Sequence, residues 1–303
     1  MDRLKIWLKE LRAEFLTASV TPVLLGAAIA YSRDGVFDGF LFILTLAGII
    51  CIHLASNVSN DYFDNLSGND SLNTQLVRPF SGGSRMIQEG LLSPRAVLAI
   101  SIVFWAASIA IGAALIVLRG PVVLLFGAIG ILCGYFYVAP PVYFARRGLG
   151  ELVVGLNIGF LPVIGAYYVQ TGSVTRESIV AGLPLFGLMA AVLFINEFPD
   201  MNADARVGKR TLVVRMGRLK ASRFYAVLTL ASYVPLVAGV ATRLMPPATL
   251  LGLIPIILVL KAIDTTRKHY DEPKKLAPAN ALTILLHSLT GLLMAAGYLI
   301  GGQ

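Results

Sequence analysis

Asn57-Val-Ser-Asn-Asp-Tyr-Phe-Asp-Asn-Leu-Ser-Gly-Asn-Asp70 ends a long apolar run with three aspartates and four asparagines. Carboxylates at a membrane boundary are expensive to hold, and by default they mark a functional site. Asn57, Asp61 and Asp64 are spaced by four and three residues, and Asn60 and Asp64 by four, so on a helix they share one face. An oxygen-only face without Cys or His suits a hard cation such as Mg²⁺. The plain alternative is a solvated helix end capped by Asn and Asp. It loses weight because a second cluster of the same design follows later in the chain.

Around this stretch the composition is that of a membrane protein. The 303 residues are 56% hydrophobic and only 14% charged, against roughly 25% charged in a soluble domain. Cys51 and Cys133 lie inside apolar runs and read as small core residues, with no disulfide framework and no metal spacing. Residues 1–12 carry Leu4, Ile6, Trp7, Leu8 and Leu11 among basic residues, the pattern of a helix lying on a membrane surface. No cleavable signal peptide and no separate soluble domain is evident, so a single unit over 1–303 is expected.

Nine charge-poor stretches reach the roughly 17–25 residues needed to span a bilayer: about 15–31, 39–60, 96–118, 120–145, 152–175, 178–196, 224–242, 244–260 and 276–300. With the N-terminus inside, 21 of the 25 basic residues fall on inner segments, and only Arg33, Arg119, Arg176 and Arg243 fall outside. This is the positive-inside bias, and it places the net charge of +8 on the cytoplasmic face of a cell membrane. The expected architecture is all-α and polytopic, with nine spans and no nucleic-acid partner. The long inner segments, 61–95 and 197–223, are expected to be the loops that carry the chemistry.

The second cluster, Asn196-Glu-Phe-Pro-Asp200-Met-Asn-Ala-Asp204, follows the sixth span as the first follows the second. Asn196, Asp200 and Asp204 recur every four residues, again on one face, while Glu197 points elsewhere. Lys209 and Arg210 come shortly after, and Arg78 and Arg85 flank a turn-rich segment after the first cluster. Positive-inside anchoring alone would explain such residues. Beside paired acidic faces they also suit a phosphate-bearing ligand bridged by cations.

The sequence resembles the UbiA superfamily of intramembrane prenyltransferases. The first cluster is similar to its Asn-Asp-x-x-Asp motif, and the second to its Asp-x-x-x-Asp motif continued by Gly208-Lys-Arg-Thr-Leu212. Further likeness lies in Ala18-Ser-Val-Thr-Pro-Val-Leu-Leu-Gly26, Tyr135-Phe-Tyr-Val-Ala-Pro-Pro141, Gly148-Leu-Gly-Glu151 and Gly165-Ala-Tyr-Tyr-Val-Gln-Thr-Gly172. The last two look most like the menaquinone branch, which prenylates 1,4-dihydroxy-2-naphthoate. The motifs cover about residues 12–217, and the last three spans match in hydropathy only.

The resemblance implies nine helices around a central cavity open to lipid, and Mg²⁺-assisted ionisation of a polyprenyl diphosphate to an allylic cation that alkylates an aromatic acceptor. It implies that Asn60, Asp64, Asp200 and Asp204 hold metal with Asp61 and Asp70 in support. Lys209, Arg78, Arg146 and Asn196 would then bind the diphosphate. Tyr137 would face the cation through its ring, although an interfacial aromatic at a span end is an equal reading. Asn157 lies inside a span, where an amide needs a partner; it is assigned to the acceptor, with helix–helix bonding as the alternative. His53 reads as a buried, satisfied histidine, and no general base stands out. A 4-hydroxybenzoate or glycerophosphate acceptor is the runner-up. A cation-coupled transporter is the reading from another class, disfavoured because both clusters fall at span ends rather than at the midplane.

Overall fold

The computed structural model describes residues 2–301; Met1, Gly302 and Gln303, ends of the expected single unit, lie outside the described residues. The helices are α1 (Arg3–Glu10), α2 (Thr17–Asp34), α3 (Gly39–Ser67), α4 (Asn69–Leu72), α5 (Pro94–Arg119), α6 (Val122–Phe136) and α7 (Gly150–Val154). They continue as α8 (Leu161–Thr171), α9 (Arg176–Arg206), α10 (Leu212–Met216), α11 (Arg218–Ala231), α12 (Val234–Ala241), α13 (Ile256–His269) and α14 (Ala277–Gly301). No strand occurs among the described residues.

Among the described residues, eight helical runs are long and apolar enough to cross a membrane. The fourth expected span, 120–145, holds as regular helix only the 15-residue α6, about 22 Å long at 1.5 Å per residue against a hydrocarbon core of roughly 30 Å. Pro140-Pro141 keeps the helix from running on to 145, because proline cannot continue a helix. The segment after α6 folds back, and the Arg146 carbonyl accepts a hydrogen bond from the Arg210 amide at 3.1 Å.

Other boundaries move outward. α3 runs on to Ser67 and α9 to Arg206, so both acidic clusters are helical and the expected loops 61–95 and 197–223 begin later. Their polar side chains face an internal cavity and have no need to leave the helix. α13 likewise continues to His269. Lys261 therefore lies within the helix, and Arg267, Lys268 and His269 occupy its last turn, where the helix dipole favours cations.

α9 is the most enclosed of these spans, and Phe194 and Phe198 on it are fully buried in the main core with Tyr225, Leu188 and Leu236. Lipid tails are as apolar as leucine, so helix association rests on close packing of small residues. Gly155 and Gly159, four apart, let their segment touch α9 directly: a Cβ on Gly155 would lie 2.7 Å from the Phe186 carbonyl oxygen. That segment, Gly155–Phe160, is a π-helical turn between α7 and α8. Side chains such as Phe40, Ile102, Val117, Leu125, Val227 and Ile257 point outward on the spans, the surface expected of a chain solvated by lipid.

Candidate active site

The two clusters, far apart in sequence, meet in space. α3 ends at Gly68, whose left-handed conformation (φ 75°) turns the chain so that α4 folds over the helix end. Asn69 Nδ2 then donates to Asp204 Oδ1 at 3.0 Å, and Asn73 Nδ2 donates to Asp200 Oδ1 at 2.6 Å. Lys209 reaches in from the loop after α9, its Nζ 3.4 Å from Asp64 Oδ2 and 3.6 Å from Asp204 Oδ1. Burial works against its charge, but Asp204 and Asp64 outweigh burial and hold the ammonium well above its ordinary range.

A polar chamber of about 190 Å³ opens here, lined by Asn60, Asp64, Asp70, Asp200, Asp204 and Lys209 among others. Asn60 donates to Asp64 at 3.4 Å, so its amide oxygen remains available. Asn196 also lines the chamber, and its oxygen accepts from Asn280 at 2.7 Å. That leaves its NH₂ as a donor, suited to an anion. Asp61 behaves differently from the expected metal ligand. It is absent from the chamber wall, pairs with Arg12 and accepts from the Ser84 amide at 3.1 Å.

Arg12 and its neighbour Glu10 were expected on the surface with the first helix; instead both turn inward. Glu10 is fully buried and accepts from Ser84 Oγ at 2.5 Å. Burial, then the Asp61 carboxylate, pushes its carboxyl up to about 7. Asp70 is pushed up to about 8, first by burial and then by Asp64 and Asp61. The site thus gathers more carboxylate than its own cations neutralise. Gly83 presses on this group in a left-handed conformation (φ 70°), and a Cβ there would lie 2.9 Å from Asp61 Oδ1 and 3.1 Å from Asp70 Oδ2.

Of the expected phosphate binders, Lys209 is in place. Arg146 stacks over Tyr143 at 4.5 Å and lines a side pocket that also touches Asp64 and Lys209. Arg78 is not brought in: it is exposed, pairs with Glu89 and is absent from the chamber wall. The arginine of that segment that turns inward is Arg85, which donates to the Asp70 carbonyl. Tyr137 lines the chamber against Gly150. Glu197, expected to point elsewhere, is buried and lines the chamber as well.

Deeper in the fold a second cavity of about 380 Å³ runs between α3, α5, α6 and α8, with walls such as Ile49, Ile52, Ile111, Leu115, Phe126 and Val169. The two cavities share four wall residues: His53, Ser56, Asn157 and Ile158. Asn157 sits on the π-helical turn, a local irregularity often found at functional sites. Gly134 on α6 leaves room for this junction; a Cβ on it would meet Ser56 Oγ at 2.5 Å and Trp105 at 2.8 Å.

A carboxylate-rich chamber that shares four wall residues with an apolar cavity sets a charged end and an apolar end side by side. The sequence model of the UbiA prenyltransferase family matches residues 19–298. The 2-carboxy-1,4-naphthoquinone phytyltransferase of Synechocystis sp. is 28% identical, over 97% of this chain and 93% of that protein. The 1,4-dihydroxy-2-naphthoate octaprenyltransferase of Haemophilus influenzae is 29% identical, over 99% and 97%. In fold, the chain matches a UbiA homolog from Archaeoglobus fulgidus bound to GPP and Mg²⁺, with a TM-score of 0.70 at 18% identity over 97% of this chain and 98% of that one. The fold, the paired acidic clusters and the family match over nearly the whole chain lead to one assignment: the chain belongs to the UbiA prenyltransferase family.

Proposed function

We propose that this protein transfers a prenyl group from a prenyl diphosphate to an aromatic hydroxy acid of the dihydroxynaphthoate class, with Mg²⁺, in the cell membrane and with its polar chamber toward the cytoplasm. The observation that carries the reading is the meeting of the two acidic clusters at the head of an apolar cavity. The naphthoate relatives support the acceptor class, and the basic residues that follow both clusters, Arg78 and Arg85 after the first and Lys209 and Arg210 after the second, support the orientation.

The residues present fit a divalent cation. The donors are oxygens without sulfur, the Asn69 amide oxygen is buried without a partner, and the carboxylates outnumber the facing cations. Among the described residues no three acidic, His or Cys side chains form a ready-made cage. That suits Mg²⁺, which takes one or two carboxylates plus substrate phosphates. Asn60 and Asp64 on one wall and Asp200 and Asp204 on the other would each hold Mg²⁺ through no more than two carboxylates, with Asp70 beside them. Bound there, it supplies charge that stabilises the departing diphosphate.

The chain's own cations do related work. Lys209, suspended between Asp64 and Asp204, takes diphosphate oxygens, and the Asn196 amide donates from the adjacent wall. Arg146 guards the side pocket. The apolar cavity shields the prenyl chain from water, and Tyr137 presents its ring near the chamber, where positive charge develops on carbon. Both clusters lie in the last turns of α3 and α9, which favours an enzyme over an ion-coupled transporter with charges at the midplane.

The test is a reconstituted assay with geranylgeranyl diphosphate and 1,4-dihydroxy-2-naphthoate. Diphosphate and a prenylated naphthol are expected in equal amounts, and chelation of Mg²⁺ removes both. Product from 4-hydroxybenzoate or a glycerophosphate alone would reassign the acceptor, and diphosphate release that survives chelation would remove the metal.

A further inference from the structure

His53 stands at the junction of the polar chamber and the apolar cavity. An allylic diphosphate that fills both places its head in one and its tail in the other, so its C1 carbon lies at their shared wall. New carbon–carbon bonds form at C1, and the acceptor must come there. The polar side chains on that wall are His53, Ser56 and Asn157. Position along α3 agrees. His53 shares the helix face of Asn57, Asn60 and Asp64, and lies seven residues, or about 10 Å, below Asn60.

The histidine is held in place. Its Nδ1 meets Ser19 Oγ of α2 at 2.5 Å, and Ser19 is fully buried. Its Nε2 has no hydrogen-bond partner among the described residues, and the ring lines both cavities. Beside it, Ser56 Oγ is buried and also without a partner. Two unpartnered polar groups beside the Asn157 amide have the form of a site for a polar ligand atom.

We propose that His53 is the general base for the acceptor, a role that rests on the prenyltransferase reading above. Nδ1–H donates to Ser19 Oγ, which leaves the Nε2 lone pair toward the junction. The acceptor's ring hydroxyl gives its proton to Nε2, and the oxygen's electrons feed the ring. The ring carbon bonds to C1 as the C1–O bond breaks and its electron pair leaves with the diphosphate. The substituent on that carbon then departs, as a proton to the diphosphate or, where it is a carboxylate, as CO₂. The ring oxygen then recovers its proton from Nε2. Ser56 and Asn157 bind the acceptor's oxygens, and Ser19 is a positioning residue.

The experiment measures the full-length protein with geranylgeranyl diphosphate, Mg²⁺ and a series of hydroxynaphthoates graded in hydroxyl acidity by ring fluorination. In His53→Gln, kcat on the least acidic member is expected to fall on the order of 10²-fold or more, the usual size of a general-base contribution. The deficit shrinks as the acceptor becomes more acidic. Slow diphosphate release without acceptor stays at the wild-type level. Ser19→Ala, which keeps the imidazole, shows a smaller loss with the same dependence on acidity and decides the matter if His53→Gln does not fold. A loss uniform across the series, a parallel loss of diphosphate release, or no loss at all would overturn the base. If the wild-type protein prenylates none of these acceptors, the proposed function falls and takes this inference with it.

Discussion

The two acidic clusters look alike in sequence and are built differently. The second rides on α9, a continuous helix through the most enclosed part of the fold, and Asp204 and Asp200 accept hydrogen bonds from Asn69 of α4 and from Asn73 just after it. The first is divided. Asp64 faces the chamber, while Asp61 is turned to its back and held by Arg12, Ser84 and the pressed backbone of Gly83. Shared spacing therefore does not mean shared duty. One helix presents its acids to the chamber, and the other spends one of its acids fixing the N-terminal segment and the loop after α4.

The largest expected effect tests the side on which the clusters agree. Asp64→Ala and Asp200→Ala should each lower kcat by roughly 10²- to 10³-fold, the scale set by removing a preorganised electrostatic contact. The double variant should cost little beyond either single one, because groups acting as a unit are not additive. Near-normal Mg²⁺-dependent turnover in either single variant would separate the clusters into independent sites.

The next effect tests the side on which they differ. Arg12→Ala leaves Asp61 buried and unpaired and should cost about 3–5 kcal/mol of stability, read as a lower midpoint of unfolding in detergent. The corresponding Asp204→Asn, whose neighbours are mostly neutral donors and Lys209, should cost activity with far less stability. Equal stability losses would erase the distinction.

Gly83→Ala is expected to be intermediate. The left-handed backbone costs about 1–2 kcal/mol for a residue with a Cβ, and the added methyl displaces Asp61 and Asp70. Turnover should fall by roughly ten-fold, since small misplacements at a reacting centre are costly. Arg78→Ala should do least, within about two-fold on the prenyl-diphosphate KM, because an exposed ion pair is worth little. A large rise in that KM would return Arg78 to the diphosphate.

Much of this was legible from spacing. Both helical faces, the apolar spans and the placing of Lys209 follow from periodicity and charge. The inward turn of Glu10 and Arg12 was not, since a basic amphipathic segment looks the same whether its last turn meets solvent or a carboxylate. Choosing between Arg78 and Arg85 needed the positive φ of Gly82, Gly83 and Arg85, which aims one guanidinium inward and the other out. Pro140-Pro141 lies inside the apolar run that reads as one span over 120–145, and hydropathy alone does not register that proline cannot continue a helix. His53 looked satisfied because sequence shows its burial and not which ring nitrogen faces a cavity.

The bond between Asn73 and Asp200 spans 127 residues, and that distance has a consequence for biogenesis. At a translation rate of about 5–20 residues per second, roughly 6–25 s separate the synthesis of the two partners. During that interval the nascent first cluster has its acids at the membrane boundary and no second cluster to meet. Arg12, made 49 residues before Asp61, is already available to neutralise that carboxylate while the ribosome completes α5 to α9. In order of synthesis, the pair that fixes Asp61 therefore precedes the contacts that close the chamber.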